Sequence, residues 1–496
     1  MRRSLRRILV LAASLLAGAC TVGPNYKPAT PPVPAAFAGP KPTADAGGVD
    51  LVRWWQAYND PELTRLIAIG LRQAPDLQTA ASRLRQARLQ IIEARAQGMP
   101  SVDGSARATD YTLLPLGSSD LGKLLGTTSP PPNNLALFSA GFDARWELDL
   151  FGGVRRQVEA ARAQEEAAQW NLRDAQVSLA AEIAADYLQM RGLQAQARIQ
   201  QFEADRQARA GSLLAHTAQV GLAPQSNEIR QNTQIDQARA QVSPLQAQAG
   251  MMMHALAVLV GEQPETLIPE LDTATPLPPI PPEIPPGLPI DLIRRRPDVR
   301  MAERQLAAAT AQIGVAVADL YPKLSLSAMP GLSTGWIGSF FIGKSVLLSE
   351  QGQVSFPIFD FGRRRAVVGE RREQREQAYI QWRKTVLGAL RDVEDSLVTI
   401  EAARGAHRNL VSGVANAQRS LATVEAQFRV GLQDYTPVLQ SQQALLQAQN
   451  ALVQNDVALR SDIAAYYKAL GGGWSPGDAM PLKPEIEDAP KKTRKL

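Results

Sequence analysis

The chain has 496 residues and a formal net charge of +5, from 53 Lys and Arg against 48 Asp and Glu. Four of those arginines, Arg2, Arg3, Arg6 and Arg7, lie at the extreme N-terminus. Beyond them the charge is nearly balanced, so the basic pI gives no argument for a nucleic-acid partner.

The N-terminus, residues 1–19, reads as a signal peptide: the arginines precede an apolar run from Ile8 to Ala17 that is too short to span a bilayer. It ends in Leu16-Ala17-Gly18-Ala19-Cys20, a lipobox pattern in which cleavage leaves a cysteine that carries diacylglycerol; Ala17 stands where the commonest version has Leu. Cys20 is the only cysteine, which rules out an intrachain disulfide and leaves lipidation as its use. An ordinary secretory signal with an incidental cysteine is the alternative. Each buried acyl methylene contributes ~0.8 kcal/mol, and no cofactor beyond this covalent lipid is expected. By resemblance to bacterial lipoproteins, Thr21 in place of Asp after the cysteine favours the outer membrane. Residues 20–58 form a proline-rich N-terminal segment, suited to running extended over a folded surface.

The rest is one plan used twice, residues 59–263 and 290–473, joined by a proline-rich linker over 264–289. Phe151-Gly152 recurs as Phe361-Gly362, Val220-Gly221-Leu222 as Val430-Gly431-Leu432, and Gly261 as Gly471, all 210 positions apart. Pro75-Asp76 and Pro100 recur as Pro297-Asp298 and Pro322, 222 apart, which places a longer insertion between Pro100 and Phe151 in the first copy. Each copy reads as helix, strand pair, long helix and return helix. The first helices run from about Pro61 to Gln97, broken near Pro75, and from about Ile290 to Ala318. The long helices cover about 154–218 and 363–429, each on the order of 100 Å at 1.5 Å per residue. The return helices cover about 224–260 and 436–470. Val438, Leu445, Leu452, Leu459 and Tyr466 repeat every seven residues beside an alanine stripe, Ala444, Ala451, Ala458 and Ala465, the pattern of knobs-into-holes packing. A tail over 474–496 ends in a basic cluster and carries no assigned role.

The strands are placed at about 100–112, 136–150, 323–334 and 346–359. From Phe138 to Leu150 apolar residues alternate strictly with polar ones, including Asp143, Arg145, Glu147 and Asp149. That is the pattern of a membrane barrel, with lipid on one side and water on the other, and it makes those four residues lumen candidates. In the last strand Val346, Leu348, Val354, Phe356 and Ile358 share a face that Glu350 interrupts. Four strands cannot close a barrel. Two chains would supply eight strands and three would supply twelve.

No site chemistry competes with this reading. His216, His254 and His407 never stand at metal-ligand spacing, no catalytic or metal site is expected, and no phosphate loop or nucleophile motif occurs. The arginines that open the long helices, Arg155 and Arg156, then Arg363, Arg364 and Arg365, oppose the helix macrodipole. They read either as a solvated first turn or as contacts to anionic lipid headgroups.

The lipobox, the duplicated plan and the paired Val-Gly-Leu turns together resemble the outer membrane factor family, the TolC/OprM-like channels, in its lipoprotein branch. So do Cys20-Thr21-Val22-Gly23-Pro24-Asn25-Tyr26-Lys27-Pro28, Arg296-Pro297-Asp298-Val299-Arg300 and Ala469-Leu470-Gly471-Gly472-Gly473-Trp474. The resemblance implies an α+β membrane protein. As a homotrimer, it would close a 12-stranded barrel in outer-membrane lipid above a periplasmic α-helical barrel. It further implies a passive exit duct for small toxic compounds, working with a periplasmic adaptor (membrane fusion) protein and an inner-membrane RND-type transporter, and no enzyme activity. The family's adaptor contacts transfer to Val220, Gly221, Leu222, Val430, Gly431 and Leu432. Its tunnel constriction transfers to Thr436 and Gln440, both uncharged where the family often has an acidic ring. The exit channel of a type I protein secretion system and a structural periplasmic coiled-coil lipoprotein are the competing readings.

Overall fold

The computed structural model describes residues 21–28, 30, 33–39, 50–112, 134–219, 225–282, 289–334 and 346–475. The signal peptide, Cys20, the first Val220-Gly221-Leu222 turn and the basic tail lie outside the described residues. A 3-10 helix over Leu51–Tyr58 precedes α1 (Pro61–Gln73), α2 (Pro75–Ala96), β1 (Ser101–Thr112), β2 (Asn134–Leu148) and the long α3 (Gly153–Gln219). Then come α4 (Gln225–Ala240), α5 (Val242–Val260), the short α6 (Ile268–Leu271), α7 (Pro289–Arg295) and α8 (Pro297–Ala318). The second sheet pair and its helices complete the chain: β3 (Lys323–Thr334), β4 (Val346–Ser355), α9 (Arg363–Arg429) and α10 (Thr436–Ala469).

Proline sets most of the breaks. Ala74, ahead of Pro75, is extended (φ −55, ψ 134), as the clash with a following proline ring demands, and this divides α1 from α2. Pro297 divides α7 from α8 in the same way, a break that the sequence reading had not placed there. The first return helix, read as one element over about 224–260, is two. Pro244 has no N–H to give to the carbonyl of Ala240, the last residue of α4, and its ring crowds that carbonyl. At the start of α1, Asp60 accepts from the N–H groups of Glu62 (2.9 Å) and Leu63 (3.0 Å) ahead of Pro61, a side-chain cap on a proline-opened helix.

Two compact units cut across the duplication. One holds residues 1–29, 86–166 and 303–380, and the other holds 30–85, 167–302 and 381–496. The first is built on a four-stranded antiparallel sheet in the order β1-β2-β3-β4. The two hairpins obey the duplication: Ser101 pairs with Arg145 in the first, and Lys323 pairs with Ser355 in the second, the same pairing displaced by 222 and 210 positions.

The N-terminal residues 21–28 belong to this unit and are tied to the start of α3 by Arg156, whose side chain is 3% exposed. Its guanidinium donates to the carbonyls of Val22 (3.0 Å) and Gly23 (3.2 Å), to Asn25 Oδ1 (2.7 Å) and to Glu159 (2.7 Å). Gly23 (φ +88) lies so close to Gly314 that a Cβ on Gly23 would sit 2.5 Å from the Gly314 Cα, and a Cβ on Gly314 would sit 2.7 Å from the Arg156 side chain. Tyr26 donates to Glu303 (3.1 Å) and lies under the Arg304 guanidinium, 5.5 Å from the ring centre. Arg156 is therefore no solvated first-turn arginine: its charge is consumed by the backbone of the N-terminal segment.

The second unit packs helices around an aromatic core. Trp54, Tyr58 and Tyr467 are fully buried, with Trp54 and Tyr467 ring centres 5.4 Å apart, and Tyr58 donates to the Arg460 carbonyl (2.6 Å). Val438, Leu459 and Tyr466 of the α10 heptad row are buried and Leu445 and Leu452 are half-buried, while Val386, Val393 and Ile400 of α9, seven residues apart, are buried too. The linker is laid along these helices by buried arginines. Arg191 donates to the carbonyls of Leu271 (3.2 Å) and Thr273 (2.8 Å), and Arg460 to that of Pro278 (2.6 Å). Ala38 and Gly39 likewise donate to the Glu394 carboxylate, at 2.7 and 2.8 Å.

Arg156→Met keeps the bulk of the side chain and removes all its donors. It should cost about 2 kcal/mol or more, the scale of lost charged hydrogen bonds. The change should appear as a lower melting temperature and as new protease cleavage within residues 21–28; an unchanged cleavage pattern would show that the segment is held by something else.

Candidate functional site

The register fixes which side chains share a face of the sheet, because directly opposed residues point the same way. One row runs Val102, Ala144, Ala328, Glu350 across the four strands. A second runs through Gly104 and Phe142, and others through Trp146, Leu326 and Gly352, and through Leu148, Leu324 and Val354. Among the described side chains, this face is apolar apart from Glu350 and, near the end of β1, Asp110. It is open to its surroundings: Val102, Phe142, Leu348 and Val354 are each more than 60% exposed.

The opposite face carries Ser101, Asp103, Ser105 and Arg107 of β1, and Ser139, Asp143, Arg145 and Glu147 of β2. Ser325 and Ser327 of β3 and Gln351 and Gln353 of β4 continue it. Asp143 pairs with Arg145 two residues on, and Glu147 lies 3.5 Å from Lys323 on the neighbouring strand. Asp103 stands directly opposite Asp143, an arrangement tolerable only where water and the nearby Arg145 guanidinium screen both carboxylates.

Three of the four sequence-derived lumen candidates, Asp143, Arg145 and Glu147, thus lie on one polar face. Asp149 does not. β2 ends at Leu148, and the Asp149 carboxylate turns to the start of α3, accepting from the N–H groups of Val154 (3.2 Å) and Arg155 (3.0 Å) and from the Arg155 side chain (3.2 Å). Strict alternation in the sequence ran past the strand end because the next polar residue happened to be the helix cap.

The second copy has its own cap. Asp360 accepts from the N–H groups of Gly362 (3.1 Å) and Arg364 (3.2 Å) and from the Arg364 side chain (3.2 Å). Desolvation raises its carboxyl, but these hydrogen bonds outweigh it and hold the group below the usual carboxylate range. Arg155 and Arg364 thus meet carboxylates that offset their conflict with the macrodipole.

In the helical unit, the second Val-Gly-Leu turn closes α9. Gly431 has φ +74, its N–H reaches the Phe428 carbonyl (3.0 Å), and the Leu432 N–H reaches that of Gln427 (2.9 Å). This is a Schellman motif with glycine in the left-handed position that other residues adopt only at a cost. The glycine explains the turn; it does not explain Val430 and Leu432, which are 70% and 76% exposed. Just beyond, Tyr435 is buried with Leu421 and Val438, its ring 5.1 Å from Phe428, and burial pushes its hydroxyl up to about 12. Thr436 and Gln440, one helical turn apart at the start of α10, are both exposed and share a face.

Behind Tyr435 lies a polar cluster that the sequence reading missed. Arg206 of α3 pairs with Glu203 (2.6 Å) and with Glu425 of α9 (3.2 Å), while Gln207 donates to Glu203 (2.7 Å) and Gln231 of α4 to the Gln207 carbonyl (2.9 Å). Its members lie on three helices, so no local spacing could have revealed it.

Comparison with known proteins gives the family. A profile of the family described as outer membrane efflux protein matches twice, over residues 66–262 and 288–472, once for each copy of the plan. The pyoverdine export outer membrane protein OpmQ of Pseudomonas aeruginosa is 31% identical over 481 residues, covering 95% of this chain and 98% of that protein. The toluene efflux pump outer membrane protein TtgC of Pseudomonas putida is 30% identical over 485 residues, covering 96% of each. The solved outer-membrane channel OprN superposes with a TM-score of 0.81 at 32% identity, over 92% of this chain and all of that one. With a half-open sheet apolar on one face and polar on the other, and with both copies of its plan matched, the chain belongs to the outer membrane efflux protein family, whose channels three copies close.

Proposed function

We propose that the protein is the outer-membrane exit duct of a tripartite efflux system that expels small toxic compounds. A periplasmic adaptor and an inner-membrane RND-type transporter complete the system. The observation that carries this is the sheet: four strands with one apolar and one charged face and two unpaired edges, which become a water-filled pore through lipid when three copies share one barrel. A coiled-coil scaffold has no use for such a sheet. Relatives named for a siderophore and for an organic solvent support a small-molecule cargo, and nothing favours protein secretion.

Cys20 carries the lipid in this reading. Residue 21 rests on Gly152, whose Cβ, if present, would lie 2.8 Å from the Thr21 Cα, and Gly152 follows the membrane strand β2 by four residues. Cys20 is one residue of chain, ~3.8 Å, before Thr21, a length that lets its acyl chains reach the bilayer the strands enter. Val430, Gly431 and Leu432, together with Val220, Gly221 and Leu222, receive the adaptor: at the second turn the left-handed Gly431 between exposed Val430 and Leu432 offers a small apolar knob to a helical hairpin. Thr436 and Gln440 line the narrowest part of the tunnel, held by packing and neutral hydrogen bonds instead of an acidic ring. Asp143, Arg145 and Glu147 line the barrel lumen.

Three outcomes test this. Ala144→Arg, on the apolar face, should destabilise the barrel by about 2 kcal/mol, while Ser139→Arg on the opposite face should be tolerated; trimer yield in outer-membrane extracts separates them, and equal yields would reverse the assignment of faces. Thr436→Ala with Gln440→Ala should raise single-channel conductance in planar bilayers, and an unchanged conductance would move the constriction elsewhere. Leu432→Ser should leave trimers intact but lower efflux in cells that carry the whole pump; full efflux would take the tip out of the adaptor contact.

A further inference from the structure

Resting on that trimeric reading, we infer that the turn after β4 docks on the partner subunit as a continuation of the strand, in a register dictated by the chain's own duplication. Phe361 covers Met99 of the partner subunit. Within one chain, β2 pairs with β3, and the residues just outside that pairing meet as well: Phe151, three residues beyond β2, stacks on Tyr321, two residues before β3, with ring centres 4.7 Å apart and planes 19° from parallel. The 210-residue shift turns Phe151 into Phe361, and the 222-residue shift turns Tyr321 into Met99. In a barrel closed by three copies, β4 of one subunit must pair with β1 of the next. The seam between subunits is then the repeat of the β2–β3 seam within each.

The free edges show what that seam lacks. Phe356 is 59% exposed, Ile358 90%, Phe359 77%, Phe361 91% and Met99 66%. This is a run of large, exposed apolar side chains at one end of β4, with the Phe359 and Phe361 ring centres 4.5 Å apart, and an exposed methionine just ahead of β1. Their counterparts in the first copy, Trp146 and Leu148, lie within β2 and pair with Leu326 and Leu324. β4 stops at Ser355, whereas alternation in the sequence carries the strand to about residue 359. The missing residues are the ones whose ladder partner belongs to another subunit.

Carrying the β2–β3 register across gives the contacts. Val354 faces Ala106 of the partner subunit, Phe356 faces Gly104 of the partner subunit, and Ile358 faces Val102 of the partner subunit, all on the apolar side. The two hairpins already keep register under the same shifts, so the step uses no new parameter. The register also sets Glu350 opposite Asp110 of the partner subunit, a like-charge pair that weakens the seam. It does not shift the phase, because a slip of two residues would unseat Ile358 and Phe361 together.

Disulfide trapping in the full-length protein, in isolated outer membranes, tests the inference. Met99→Cys with Phe361→Cys in one chain should, on mild oxidation, give a covalent trimer on denaturing gels, while each single variant should remain monomeric. Phe151→Cys with Tyr321→Cys should close within one chain and run as an oxidised monomer, which establishes that oxidation reaches this level of the protein. Ile358→Cys should crosslink with Val102→Cys and not with Gly104→Cys. Cys20 is common to all variants, so the oxidised parent chain is the blank. Trimers in mild detergent without the Phe361–Met99 crosslink, beside a closed control pair, would overturn the docking and leave the channel intact. Absence of any trimer would overturn both.

Discussion

Hydrocarbon offers a backbone no hydrogen-bond partner, so a sheet that enters it cannot keep a free edge. Much of this protein follows from that constraint. The chain supplies four strands and leaves the outer edges of β1 and β4 unpaired, with one face apolar and the other lined by Asp103, Asp143, Arg145 and Glu147. The charges are solvated only if that face encloses water, and the apolar face is satisfied only by lipid. Neither condition is met by one copy, so the membrane-inserted state and the oligomer are one thermodynamic event, stabilised by ladder hydrogen bonds that a single chain cannot make.

Arginine performs the matching task outside the membrane. Arg156, Arg191, Arg296 and Arg460 are buried or nearly so, and each spends donors on backbone carbonyls of a segment that lacks regular partners: residues 22–23, the linker near 271–273, the end of α10 at Ala469, and Pro278. An extended, proline-rich stretch has carbonyls without a helix or sheet to receive them, and a planar guanidinium with five donors satisfies several at once. These four arginines therefore fasten irregular segments and a helix end to the helices beneath them.

What was legible in the sequence was whatever repeats. The duplication, the alternation in β2 and the heptads of α10 each extend over many residues, and each has a physical period that the fold must honour. Local exceptions were not legible. Asp149 continued the alternation by identity while serving as a helix cap, and Pro244 sat within a run that otherwise read as one helix. Arg156 looked like its exposed neighbours because its acceptors lie some 130 positions away in the chain. The strand end at Ser355 is a different case. There the periodicity persists to Ile358, and the single chain lacks the partner that would make it a strand.

The two copies differ where the edges demand it. On the apolar face the only carboxylates are Asp110 and Glu350 among the described side chains, and they lie on β1 and β4, the open strands. Their counterparts under the shifts of 222 and 210 are Leu332 and Ala140, on β3 and β2, where both edges are already paired. A fully apolar open strand is a template for any passing strand, and a charge on its apolar face makes casual pairing costly. The charge costs the barrel some stability in lipid, less for a carboxylate than for Lys or Arg. It is confined to the strands that must wait for a partner. The difference at these two positions follows which strands wait and which do not.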